Sequence, residues 1–256
     1  MTPMIRTEGL RKVYRVGHEK VVALNQIDIT IEKGEICCIV GQSGSGKSTL
    51  LNQLAGLEKP TRGKVYIADH EISAMTESQL ARFRQDNLGF IFQSYNLLPS
   101  MNATENVALP LMFKGVGRGP REKAAAKMLR EMGLQGREKH RPTEMSGGQQ
   151  QRVGIARAFV TKPKVVFADE PTGNLDTATT RQVLYKMLQM AKENQITFVM
   201  VTHEPELALV ADRIITILDG SVQSNVVQTD AEKQAAREKI FSEMTGQDPE
   251  NKENAQ

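Results

Sequence analysis

Residues 41–48 read Gly-Gln-Ser-Gly-Ser-Gly-Lys-Ser and fit the spacing G-x-x-x-x-G-K-[ST]. Glycine at Gly41, Gly44 and Gly46 lets successive backbone N–H groups turn inward around an anion without a Cβ in the way. A helix starting near Lys47 aims its positive end at the same point. Lys47 is then placed to neutralise β- and γ-phosphates, and the Ser48 hydroxyl to ligate Mg²⁺, with Gln42, Ser43, Ser45 and Thr49 assigned to the same nucleotide. A second reactive group, Asp169-Glu170, ends the apolar run Val165-Val-Phe-Ala. Phosphoryl transfer needs one carboxylate for the metal shell and another group to orient the attacking water; Asp169 suits the first role and Glu170 the second. A third is Ser146-Gly147-Gly148-Gln149, where Ser146 can cap a helix whose first N–H groups face an anion. One nucleotide loop beside a second phosphate-type site suggests that the second serves a nucleotide held by another copy of the chain.

These groups need elements to carry them. Ile36-Cys-Cys-Ile-Val40 has no polar alternation, as expected for a strand buried on both faces, and it leads straight into the glycine loop and a helix that Gly56 stops. A strand at 165–168, a helix over 177–193 and a strand at 196–201 continue the pattern and predict a mostly parallel α/β core. Before the core, Val21, Ala23, Ile27, Ile29 and Ile31 interleave with Val22, Leu24, Gln26, Asp28 and Thr30, which predicts half-buried antiparallel strands. From Thr104 to about Val160 the period turns helical. Ala124, Ala125, Met128, Leu129 and Met132 share one face and Gly133 ends it, which reads as an inserted lobe over about 94–160. Met187 and Met190 sit at helical spacing and read as core.

Composition excludes several classes. With 39% apolar and 25% charged residues the chain can fill a core and is not generically disordered. No apolar run approaches the roughly 18 to 20 residues that cross a bilayer. The start, MTPMIRTEGLRK, lacks an apolar stretch followed by a small-residue cleavage site, so a cytosolic location is expected. Cys37 and Cys38 are adjacent and point to opposite faces of a strand, so they read as reduced core thiols. A net charge of +3 does not argue for nucleic acid.

The order of motifs resembles the ATP-binding subunit of ABC transporters over about residues 4–222. Within that family, SYNLLPSMNATENVALPL, SGGQQQRV and ADEPTGNLD are similar to the LolD/MacB/FtsE-like branch. Met145 stands where the signature motif usually has Leu, a near volume-conserving change. The resemblance implies a P-loop NTPase core of mostly parallel sheet, an N-terminal antiparallel β subdomain and an inserted α-helical lobe, all within residues 1–229. It also implies that Tyr14 stacks on adenine, that Gln93 senses Mg²⁺ and the γ-phosphate, that Asp176 belongs to the D-loop, and that His203 is the switch histidine contacting the γ-phosphate. ATP and Mg²⁺ are the implied ligands, with Ser48, Gln93 and Asp169 around the metal. The implied partners are a second ATPase copy and an integral-membrane permease with an extracytoplasmic domain, met at the cytoplasmic face of the membrane by a peripheral protein, with no nucleic acid. The branch's jobs include lipoprotein release, export, and resistance to antibiotics or antimicrobial peptides. Tyr95, Leu97, Leu98, Pro99 and Met101 are the expected groove for a permease helix.

Alternatives are a soluble ABC ATPase such as an iron–sulfur cluster assembly ATPase, a DNA-repair or chromosome-structuring ATPase, and an ABC importer ATPase. The absence of sustained heptads between Lys47 and Ser146 disfavours the DNA-repair reading. Residues 230–256 carry seven acidic and four basic residues, which leaves +6 on residues 1–229, a balance that suits an anionic membrane surface. This acidic tail is expected to be a short surface helix or disordered, and its removal to leave the ATP chemistry near normal.

Overall fold

The structure is a computed structural model, and it describes residues 3–245. The central sheet runs, in spatial order, β11 (Ser221–Val227), β10 (Arg213–Leu218), β4 (Ile36–Val40), β9 (Thr197–Thr202), β8 (Val165–Asp169) and β7 (Leu88–Ile91). The five strands from β10 to β7 are parallel, and β11 closes the edge as an antiparallel hairpin. Covering helices bury both faces of such a sheet, which is why β4 needs no polar alternation. Along β4, Cys37 and Ile39 enter one apolar core while Ile36 and Cys38 enter the other. Burial alone pushes the Cys38 thiol up to about 12 and, as the main cause, holds Cys37 well above its ordinary value, so both stay protonated and unreactive.

One core lies between this sheet, α1 (Lys47–Leu54) and a second, antiparallel sheet of β2 (Glu19–Ile27), β1 (Ile5–Val16), β5 (Arg62–Ile67) and β6 (His70–Glu71), with β3 (Thr30–Ile31) also on β1. The expected alternation in β2 holds only in part. Gln26 adopts a left-handed φ of 52°, and the pairing slips between Leu10 with Ile27 and Lys12 with Leu24. That irregularity turns both Leu24 and Ile27 into the core and leaves Val21 and Val22 exposed.

The other core is walled by helices: α3 (Ala103–Phe113), α4 (Arg118–Glu131), α5 (Gly147–Phe159) and α6 (Thr177–Glu193). Ala125, Leu129 and Met132 are buried, with Ala124 and Met128 packed against them at the margin. Gly133, at φ 68°, ends the α4 region as the sequence suggests. In α3, buried Asn106 accepts from the Leu98 N–H and donates to the carbonyls of Leu98, Met101 and Asn102. One amide thereby fixes the irregular segment before the helix. Helix α2 (Glu77–Asn87) is an element that the periodicity does not announce, although Thr76 and Gln79 form a complete capping box at its start.

After the short α7 (Pro205–Ala208), the chain ends its described part in α8 (Asp230–Thr245). This helix is not a free surface appendage. Phe241 is buried and meets Tyr185 of α6 edge-on at 5.2 Å between ring centroids. Lys233 bonds Asp212 and Asp230 at 2.8 Å each, and Arg237 donates to the Val210 carbonyl. The docking is hidden in the sequence because its apolar part rests on Phe241 and Ile240 in a mostly polar stretch, and its polar part on partners far back in the chain. The rest of the tail, 246–256, lies outside the described residues. Phe241→Ala is expected to lower the unfolding free energy by about 3 kcal/mol in denaturant titrations, the usual scale for a buried aromatic side chain.

Candidate functional site

The glycine loop spans the gap between β4 and α1, so its position is set by the central strand of the sheet. Gly46 caps α1 at φ 104°, and a Cβ there would lie 2.5 Å from the Ala23 carbonyl oxygen. No other residue type fits at that contact. Lys47 is buried, and its ammonium donates to the Gln42 carbonyl at 2.8 Å within the same loop. The Ser45 hydroxyl is buried without a hydrogen-bond partner. A turn from β10 to β11 braces the loop, since the Gly220 N–H donates to the Ser45 carbonyl and the Asn25 N–H donates to the Gly220 carbonyl.

The loop opens into a cavity of about 620 Å³. Ser43, Gly44, Gly46, Lys47, Ser48 and Thr49 line it together with Glu170 and His203. Strand register explains the company. In adjacent parallel strands Asp169 lies opposite Val201 and Ala168 opposite Met200, so residues just past the two strand ends emerge side by side. His203 Nδ1 lies 3.3 Å from Glu170 Oε1. Glu170 itself has φ 43°, a strained conformation for a glutamate. Its N–H donates to the Val201 carbonyl, and its own carbonyl accepts from Gly173.

Ser48 Oγ donates to Asp169 Oδ1 at 3.0 Å. Burial raises the Asp169 carboxyl above its ordinary value, and neighbouring Glu170 adds to the rise, against the opposing pull of Ser48 and Lys47. A hydroxyl and a half-buried carboxylate are the hard oxygen donors that Mg²⁺ takes alongside phosphate oxygens and water. Among the described residues no cluster of three or more His, Cys, Asp or Glu can hold a metal by itself. The orphaned Ser45 hydroxyl, the Gly46 cradle and the Ser48–Asp169 pair therefore fit a metal–nucleotide, with the phosphates supplying the remaining ligands.

Gln93 follows β7, whose Ile91 pairs with Ala168, and its amide sits beside Gly173, 3.1 Å from where a Cβ on that residue would stand. Asn174 donates to the Gln93 carbonyl at 3.0 Å. Gln93 does not line the loop cavity. Tyr14 does not line it either. It pairs across the sheet with Val21, which does, and its hydroxyl donates to Glu58 at 2.7 Å. Burial and that bond raise the Tyr14 hydroxyl above its ordinary value. Asp176 caps α6 by accepting from the Thr179 N–H and hydroxyl, which hold its carboxyl below the ordinary range.

Ser146 caps α5, reciprocally with Gln149, and its side chain is exposed. None of Ser146, Gly147, Gly148 or Gln149 lines the cavity of the glycine loop. Within one chain, residues 146–149 thus lie outside the glycine-loop cavity. Several cavity residues are not evident from the sequence: Val21, Val22 and Ala23 from β2, and the turn Asp219-Gly220. Only the Asp-Gly turn carries a local signal. Arg157, outside that cavity, carries no local signal either; its guanidinium forks onto the carbonyls of Tyr95 and Asn96, both left-handed.

The sequence and the fold are similar to those of known proteins. Residues 24–173 match the family described as ABC transporter, and the chain belongs to that family. It is an ATP-binding, ATP-hydrolysing cassette of the LolD/MacB type. It is 41% identical over 222 residues to the lipoprotein-releasing system ATP-binding protein LolD of Chromohalobacter salexigens, covering 87% of this chain and 94% of that one. It is 46% identical over 227 residues to the macrolide export ATP-binding/permease protein MacB of Rhodopirellula baltica; this covers 88% of the chain and 33% of MacB, so the chain spans about a third of that relative. Among solved structures, the dimeric post-hydrolysis state of the ATP-binding cassette MJ0796 bound to ADP and Pi superposes with a TM-score of 0.83 at 39% identity, covering 88% and 98% of the two chains.

Because a carboxyl raised in the folded state is stabilising while protonated and loses that contribution as pH climbs through its folded value, ionised Asp169 weakens the nucleotide-free fold at neutral pH. Asp169→Asn is expected to raise the melting temperature near neutral pH, with the gain shrinking as pH falls towards about 4. Thermal melts across pH check this.

Proposed function

We propose that two copies of this chain close on two ATP molecules, each held between the Gly41 to Thr49 loop of one copy and Ser146 to Gln149 of the other. The observation that supports this is the separation within one chain: the capped, exposed start of α5 lies outside the cavity that contains Lys47, Glu170 and His203. A second copy supplies the missing donors by two-fold symmetry. The MJ0796 cassette, a dimer bound to ADP and Pi, agrees with this arrangement.

In this reading Lys47 and the loop N–H groups hold the β- and γ-phosphates and Tyr14 stacks on adenine. Glu170 accepts a proton from the attacking water as the oxygen approaches the γ-phosphorus, and His203, 3.3 Å away, orients that carboxylate and contacts the γ-phosphate. Ser48 and Asp169 would hold Mg²⁺, which would neutralise phosphate charge, and Gln93 would report on its presence. Asp176 steadies the loop after Glu170 at the two-fold contact. ATP favours the closed pair because it binds both halves, and hydrolysis removes that preference.

The motion is passed to a membrane permease with an extracytoplasmic domain, for export, lipoprotein release or resistance to antimicrobials, with the cassettes at the cytoplasmic face. No helix among the described residues is long and apolar enough to cross a membrane, so a separate membrane segment has to receive the force. The docking face runs from the Gln93 turn to α3. Leu98 is exposed there, and Met101, Leu109 and Met112 line a neighbouring cavity of about 250 Å³. Leu97 instead packs against the core.

Glu170→Gln is expected to keep ATP affinity, cut turnover by at least about a hundredfold, and leave an ATP-bound dimer visible by size exclusion. Unchanged turnover would sink the assignment. Leu98→Asp is expected to abolish co-purification with the permease at unaltered ATP affinity, whereas Leu97→Ala lowers the melting temperature.

A further inference from the structure

We propose that Gln151 is a positioning residue that couples the signature end of α5 to the catalytic carboxylate of the same chain. The inference rests on the role given to Glu170 above and adds a residue to which no role has been assigned. Gln151 lies two positions beyond Gln149 and is buried, at 1% exposure. Its Nε2 donates to the carbonyl of Pro171, the residue after Glu170. A carbonyl can only accept, so the amide nitrogen has to face it. Proline has no N–H, which makes this carbonyl the only backbone hydrogen-bonding group at position 171.

The neighbouring residue is gripped by other segments of the chain. The Glu170 N–H donates to the carbonyl of Val201 in β9 at 3.0 Å, and the Glu170 carbonyl accepts from Gly173 at 3.1 Å. Between these two grips the Glu170 backbone holds a φ of 43°. Such a conformation persists only where its surroundings over-determine it. Any displacement of α5 against β9 is therefore taken up at the Glu170–Pro171 link, where it redirects the carboxylate.

The cost of this contact points the same way. Gln151 Oε1 is buried with no hydrogen-bond partner, a destabilising arrangement that an apolar side chain of similar length would remove. Retaining the amide makes physical sense when its donor is needed for geometry rather than for stability. Helix α5 is then a lever with two contacts. Ser146 to Gln149 meet the nucleotide of the partner copy, and less than one turn further on Gln151 holds the machinery for the chain's own nucleotide. Occupancy of one site is thereby felt at the other, and turnover is cooperative in ATP.

The test compares the full chain with Gln151→Met, Gln151→Glu and Glu170→Gln, measuring steady-state ATPase kinetics, nucleotide affinity, ATP-driven dimerisation and melting temperature. Gln151→Met is expected to lower kcat about tenfold and the Hill coefficient towards one. Nucleotide affinity and dimerisation should stay at parental values, and the melting temperature close to the parent's, because removing the orphan Oε1 offsets the Pro171 carbonyl left without its donor. Gln151→Glu has a donor only while its buried carboxyl is protonated, so the ratio of its kcat to the parent's is expected to rise as pH is lowered from about 8.5 to about 6. A Gln151→Met kcat within about twofold of the parent, beside an inactive Glu170→Gln, overturns this proposal alone. A kcat loss that tracks losses in melting temperature and nucleotide affinity overturns it too, by showing a packing role. Unchanged turnover in Glu170→Gln overturns both this proposal and the functional reading beneath it.

Discussion

The backbone hydrogen bonds that join β4, β9 and β8 in parallel register set the distances among the groups at the nucleotide edge. Val40 lies opposite Thr202 and Asp169 opposite Val201, so the glycine loop, the carboxylates of Asp169 and Glu170 and the imidazole of His203 leave the sheet at the same level. Ligand sites outside the carboxyl ends of parallel strands follow from this geometry. A slip of one residue in either pairing would turn each strand's side chains to the opposite face and move its terminal group along the edge. The two apolar cores prevent such a slip, because the buried residues of β4, β8 and β9 divide between them by face.

On that rigid base the reactive segments are held in conformations that the chain would not choose alone. Glu170, Tyr95 and Asn96 all have left-handed backbones. Each is held by bonds from a different element: Glu170 by β9, and the Tyr95–Asn96 turn by the fork of Arg157 from α5. Burial lowers the pKa of the Arg157 guanidinium, yet the two carbonyls that accept from it compensate for lost water. Helix α5 thus touches the turn after Gln93 and the link after Glu170, and presents its own start, capped by Ser146, to solvent. The same helix packs into the larger core, so the strained sites share one support.

Stability and chemistry pull against each other at this edge. Asp169 is a half-buried carboxyl raised by its surroundings, Ser45 and Gln151 carry buried atoms without partners, and Lys47 is nearly inaccessible. Each is a cost in the nucleotide-free fold that a metal–nucleotide or a catalytic geometry can offset. Far from the edge, α8 adds apolar contact to α6 through Phe241 and ties down the segment after α7 through Lys233 and Arg237. The elements that carry chemistry are strained, and distant ones supply the packing that tolerates it.

The motifs, their order and the α/β alternation were legible in the sequence because each depends on residues close together in the chain. A glycine loop needs its own glycines, a capped helix needs Ser146 beside Gln149, and a strand buried on both faces needs an unbroken apolar run such as Ile36 to Val40. The irregularity at Gln26, the pairing of Glu170 with His203, the bracing turn at Asp219-Gly220 and the docking of α8 were not legible. All of them arise from contacts between segments far apart in sequence, set by strand register and helix packing rather than by local preference. The glutamine run at 149–151 shows the division most clearly. Sequence identifies Gln149 by its motif, while only the fold turns Gln151 inward to meet Pro171, because that contact exists once α5 is packed against the loop that follows β8.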